Sequence, residues 1–136
     1  MDINYNQNYT KEQIKSILEV IQNCVRDDRF TISLNENRQE NIDFINNYNL
    51  PRKKQKDIIL RINVEDFCHS LKNINAGYEH EVLYVFCPHI LLFKIDDEEE
   101  LVDIYTKFNI IEYAGGKRII AISFHKRNKP IDYLFR

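Results

Sequence analysis

"DIYTKFNIIEYAGGKRIIAISFHK", residues 103–126, is the stretch whose reading decides the fold. Two apolar runs of period two flank an Ala-Gly-Gly break, which is the pattern of two antiparallel strands joined by a tight turn. In the first run Ile104, Thr106, Phe108 and Ile110 share one face and Asp103, Tyr105, Lys107 and Asn109 the other, because successive side chains of a strand point oppositely. In the second, Ile120, Ile122 and Phe124 form an apolar face and leave Ala121, Ser123 and His125 opposite. A two-residue Gly115-Gly116 turn would set Phe108 across from Ser123 and mix the faces. A three-residue loop, Ala114-Gly115-Gly116 with Gly116 left-handed, matches core to core. His125 then lies across from Tyr105, or from Lys107 with the loop one residue later, and all three converge on one non-core face.

Upstream of this hairpin, "VEDFCHSL" and "EVLYVFCPHILLFKI" read as further strands, with Pro88 breaking the longer run or placing it at an edge. Before about residue 63 the period is helical. Thr10 and Gln13 form a capping box ahead of Ile14, Ile17, Leu18, Ile21 and Val25, which predicts a helix over residues 11–26. "RFTISL" alternates as a short strand. Asn35 or Asn37 can cap a second helix with Ile42, Phe44 or Ile45, and Tyr48 inward. Pro51 suits the first turn of a third, with Ile58, Ile59 and Ile62 inward and Arg52, Lys53, Lys54 and Lys56 outward. The expected architecture is α+β, with N-terminal helices packed on one face of a twisted antiparallel sheet.

At 136 residues, 43% hydrophobic and 29% charged, the chain fits a single domain with a real core. Residues 1–9 read as a flexible lead, 10–127 as the domain and 128–136 as a tail. No apolar run approaches the roughly 20 residues of a membrane span, and the N-terminus is too polar for a signal peptide, so the expected location is the cytoplasm. Cys24, Cys68 and Cys87 are odd in number and lack paired spacing, so buried thiols are expected, with no metal and no cofactor. His80 and His89 read as surface positions.

The net charge is −2, but the charges are segregated. "PRKKQKDIILR", residues 51–61, and "KRIIAISFHKRNK", residues 117–129, are basic and are candidate anion-binding surfaces, with Lys53, Lys56, Arg118, Lys126 and Arg127 as RNA contacts. "DDEEE", residues 96–100, reads as a solvated loop tip.

A histidine, a phenol and cations on one sheet face suit metal-independent cleavage of RNA. The 2′-hydroxyl attacks the neighbouring phosphorus, so the site must take one proton, supply another to the leaving oxygen and neutralise a phosphorane. Histidine exchanges protons near neutral pH, and a tyrosine donates a hydrogen bond or stacks on an unpaired base.

The order "DIILRINVEDFCHSL", "EVLYVFCP", "DIYTKFNI" and "RIIAISFHK" resembles the MqsR-type (motility quorum-sensing regulator) toxins of type II toxin-antitoxin systems, over about residues 10–127 and most closely in "VEDF" and "ISFH". The resemblance implies a RelE-like fold, endonuclease activity on single-stranded messenger RNA, growth arrest when free, and neutralisation by an antitoxin that is a helix-turn-helix repressor. By motif, Tyr105 and Lys107 match the family's tyrosine-x-lysine strand. His125 and His69 fall where the best-known member carries lysines, so electrostatic stabilisers become groups able to move protons. The resemblance thus puts His125, Tyr105, Lys107 and His69 in the catalytic set. The acidic run and net charge favour an alternative, a non-catalytic phage- or plasmid-encoded protein that inhibits a host or immune nucleoprotein by contact.

Overall fold

The computed structural model describes residues 5–35, 38–74 and 76–136. In chain order the elements are α1 (Lys11–Arg26), β1 (Phe30–Ile32), α2 (Gln39–Asn47), α3 (Arg52–Leu60), a 3₁₀ turn (Val64–Asp66), β2 (Phe67–Lys72), β3 (Val82–Phe86), β4 (His89–Phe93), β5 (Glu99–Tyr113) and β6 (Gly116–Lys126). The sheet order is β1-β6-β5-β3-β2, and β4 pairs with the first half of β5. The fold is α+β, with every strand pair antiparallel except β1 against β6.

Local chemistry sets the helices. The expected capping box forms: Thr10 Oγ1 accepts from the Gln13 N–H at 3.1 Å and Gln13 Oε1 from the Thr10 N–H at 2.8 Å. Ile14, Leu18, Ile21 and Val25 are buried, while Ile17 is only partly covered. Helix α2 starts without a side-chain cap. The Asn35 carbonyl accepts from the Arg38 N–H at 2.8 Å, and Asn37 lies outside the described residues. Pro51 stands one residue earlier than expected, as the residue that opens α3. All three helices cover one face of the sheet, over Phe30, Phe67, Phe86, Ile104, Phe108 and Phe124. Each such side chain contributes about 1.5–3 kcal/mol on burial.

The β5–β6 hairpin keeps the expected end and reaches it differently. The turn has two residues, Ala114 and Gly115, with Tyr113 opposite Gly116, whose φ is +129°. The extra residue sits in mid-strand instead: Phe108 faces Ala121 and Lys107 faces Ser123, so Ile122 is a β-bulge. Ile119 and Ala121 are therefore the fully buried residues before the bulge, and Ile120 and Ile122 are only partly covered, the reverse of the parity expected from sequence. Past the bulge the phase returns, with Phe124 in the core and His125 across from Tyr105.

Asn41 explains where the bulge falls. Its side chain, 1% exposed, donates to the Ser33 and Ile122 carbonyls at 2.9 and 3.0 Å and accepts from the Phe124 N–H at 2.8 Å. Strand β1 ends at Ile32, beside Ala121, and Asn41 takes over the next backbone groups of β6. A buried amide with three partners thus satisfies groups that a bulge would otherwise strand.

The far face of the sheet is covered by the two ends of the described chain. Asn6 bridges Ser70, and Gln7 Nε2 donates to the Cys68 carbonyl. Leu134 N–H donates to the Phe67 carbonyl and the Tyr133 hydroxyl to the Cys87 carbonyl. Ile131 and Tyr133 seal a small cluster of Cys68, Val85, Cys87 and Tyr105. Residues 5–9 and 128–136, read from sequence as lead and tail, are thus packed against the domain. Among the described residues no helix is long and apolar enough to cross a membrane.

Candidate functional site

Alternation turns Tyr105 and Lys107 away from the helices, and the bulge brings His125 to the same face. Tyr105 and His125 stack at 5.5 Å between ring centroids, with 25° between planes. Tyr105 is 5% exposed, and burial pushes its phenol well above the ordinary tyrosine value, so at neutral pH it is a hydrogen-bond donor or stacking surface and no base. His125 Nδ1 lies 2.8 Å from the Lys126 carbonyl. A carbonyl only accepts, so Nδ1 carries hydrogen and Nε2 is the basic nitrogen of the neutral ring. The Glu40 carboxylate is 3.7 Å from the same Nδ1 and also accepts from Asn128.

Lys107 borders a cavity of about 360 Å³. Its walls bring together Arg38 from the start of α2, Lys72 from the end of β2, Lys129 from the tail, and both Tyr5 and Tyr105, with Leu71, Leu83 and Ile122 as apolar floor. Among the described residues no aspartate or glutamate lines it. Among the described residues none of the four cations is in an ion pair. Burial first, then the charges of Arg38 and Lys129, push the Lys107 ammonium below the usual lysine range. Lys129 Nζ sits 5.7 Å from the Tyr105 ring centre and 3.5 Å from the Tyr5 hydroxyl. Uncompensated positive charge in a half-enclosed pocket is an anion site with its counter-ion left to the ligand.

The other cations singled out by sequence are engaged elsewhere. Lys126 pairs with Glu100 at 2.8 Å, and Arg127 with Asp103 at 3.3 Å. Lys56 is bound to Asp28 and the Arg26 carbonyl on the helical layer, where Lys53 also lies. Arg118 donates to Thr31 near the hairpin turn, seven residues and about 23 Å along β6 from His125. His69 is separated from Lys107 by Val85 of β3, about 10 Å across two strand spacings. It is 3% exposed, and Tyr5 stacks on it at 4.0 Å. Of the expected set, Tyr105 and Lys107 line one cavity, while His125 stacks on Tyr105 but borders a different cavity together with Glu40, Asp43, Lys126 and Arg127. None of the five basic residues named for RNA lines the Lys107 cavity.

The acidic run is split. Residues 96–98 form the β4–β5 turn, and Glu99 and Glu100 belong to β5. Glu100 points inward, accepting from the Tyr48 hydroxyl at 2.7 Å and facing Lys126 and Lys94. The Lys126 hydrogen bond, then that of Tyr48, pulls its carboxyl down to about 2. The three cysteines are buried and free, with burial raising the Cys68 and Cys87 thiols to about 12 and 11. Among the described residues no three His, Cys, Asp or Glu side chains are grouped as a metal ion requires.

Sequence reasoning missed Arg38 and Lys72, single cations that no local pattern marks, and left Lys129 unnamed at the end of the basic stretch 117–129. Comparison with known protein families, with curated proteins and with solved structures finds no match for this chain.

Proposed function

We propose that the Lys107 cavity binds the phosphodiester backbone of single-stranded RNA and that the protein is a metal-independent endoribonuclease, the toxin of a type II toxin-antitoxin pair with a RelE-like fold. One observation carries this reading: among the described residues, four cations and two tyrosines surround the cavity and no carboxylate does. A site for a polyanion needs that imbalance.

In this scheme Arg38, Lys72 and Lys129 hold phosphates, and an unpaired base lies against Tyr5 or Tyr105. His125 Nε2 takes the 2′-hydroxyl proton as that oxygen attacks phosphorus. Lys107 stabilises the phosphorane and gives a proton to the departing 5′-oxygen, a role its lowered pKa favours. The products are a 2′,3′-cyclic phosphate and a 5′-hydroxyl. His69, beneath Tyr5, takes no part in proton transfer.

Purified protein incubated with single-stranded RNA in excess chelator should yield those ends, and expression in a bacterial host without an antitoxin should arrest growth. Lys107→Met and His125→Ala should each lower cleavage by about 10²-fold or more and relieve the arrest while keeping the wild-type circular dichroism spectrum. Intact RNA with the folded wild-type protein, together with unimpaired growth, would overturn the assignment. The exposed carboxylates Asp96, Asp97, Glu98 and Glu99 favour the second reading, a non-catalytic protein that blocks a nucleoprotein by contact.

A further inference from the structure

Strand β4 is the outermost strand of the β4–β5 hairpin. Among the described residues it pairs with β5 alone, and no backbone hydrogen bond made outside that ladder reaches His89–Phe93. Its other edge is a row of unmet donors and acceptors about 17 Å long. The usual protections of such an edge, a lysine, a proline or a bulge within the strand, are absent from "HILLF".

The outward face of the hairpin is apolar. Leu91 pairs with Leu101 across the ladder, and Phe93 lies beside them. These three are 47%, 66% and 53% exposed, while Ile90 and Leu92, on the other side of the strand, are in the core. At the Phe93 end the surface becomes acidic: Asp96, Asp97, Glu98 and Glu99 are exposed, and among the described residues none is in an ion pair. Edge, apolar face and charge lie side by side.

We infer that the β4 edge docks an extended basic segment of a partner protein, which adds to the sheet as a further strand. Its apolar side chains continue the Leu91, Phe93 and Leu101 surface, and its cations lie along residues 96–99. A second copy of this chain fits less well. Two-fold pairing of β4 with itself would set each acidic tip against the His89 end of the other copy. There Arg127 and Arg136 are already held by Asp103 and Asp66, so neither is free to meet it. The inference does not rest on the nuclease reading, because Lys107 lies in a different cavity.

The probe is an acetylated eight-residue peptide of alternating valine and lysine, added to the full chain. One control replaces lysine by glutamate, and another has the same composition in two blocks. Saturable binding is expected for the alternating basic peptide alone, with amide exchange at His89–Phe93 slowed by about tenfold or more. Leu91→Ser with Leu101→Ser, and separately Asp97→Lys with Glu98→Lys, should weaken binding by about tenfold. Lys107→Met should bind as the wild type does. Equal binding of either control, or binding that leaves exchange at His89–Phe93 unchanged, would overturn the inference. So would protection of those amides without peptide in step with dimer formation by sedimentation, which would make the occupant a second copy.

Discussion

Two basic regions of this protein look alike in sequence and differ in the fold. Lys126 and Arg127 belong to a dense basic run, yet Glu100 and Asp103, more than twenty residues upstream, pair with both. Lys107 stands alone between Thr106 and Phe108, yet the fold surrounds it with Arg38, Lys72 and Lys129 and, among the described residues, no acid. Charge density along the chain is therefore a poor guide to potential at a surface, because the field at a site is summed over neighbours in space. Lys126 and Arg127 of the conspicuous run are neutralised, and the site is made by Arg38 and Lys72 from elsewhere in the chain with Lys129 from the end of that run.

The widest gap between the regions should appear in RNA cleavage. Lys107→Met should lower the single-turnover rate by about 10²–10³, the scale of losing one fixed charge at a developing oxyanion, whereas Lys126→Met should change it by less than about threefold. Equal losses in the two variants would erase the distinction. Next comes the bulge that lies between the regions. Asn41→Ala leaves the Ile122 carbonyl and Phe124 N–H without their partner and should cost about 2–3 kcal/mol in urea denaturation. Loss of under about 0.5 kcal/mol would mean that the bulge needs no clamp.

The smallest effect concerns pH. Glu100 is held at about 2, below its ordinary value, so its contribution to stability is complete above the usual carboxylate range and is lost as pH falls through about 2. Lys126→Ala removes the main cause, so the Glu100 carboxyl should titrate at higher pH by carbon-detected NMR and the stability lost on acidification should shrink. An unchanged Glu100 titration would show that Tyr48 and Lys94 alone hold it.

Much of the fold is readable from short stretches. The Thr10–Gln13 box, the inner faces of α1 and α3 and the β5 alternation follow from contacts within a few residues, and they form as expected. Pro88 separates β3 from β4 for an equally local reason: it cannot donate to a ladder. The pairing of His125 with Tyr105 is legible too, since one extra residue anywhere between Lys107 and Ser123 restores it. Where that residue goes is not legible. Sequence favours the glycine turn, and the structure puts it at Ile122 because Asn41, more than eighty residues upstream, satisfies the bulged backbone. A trace of this was readable, as a polar residue three before Phe44 and seven before Tyr48 on the inner face of α2.

The sequence by itself determined the α+β class, the start of α1, the strand pattern and the placing of His125 opposite Tyr105, two residues along from Lys107, because capping and alternation act over a few residues. Only the tertiary structure decided which cations stay unpaired, where the bulge falls, that β1 joins parallel to β6, and that both ends of the described chain cover the far face. Those outcomes depend on hydrogen-bonding and charged partners far apart in the chain, and no local pattern carries such distances.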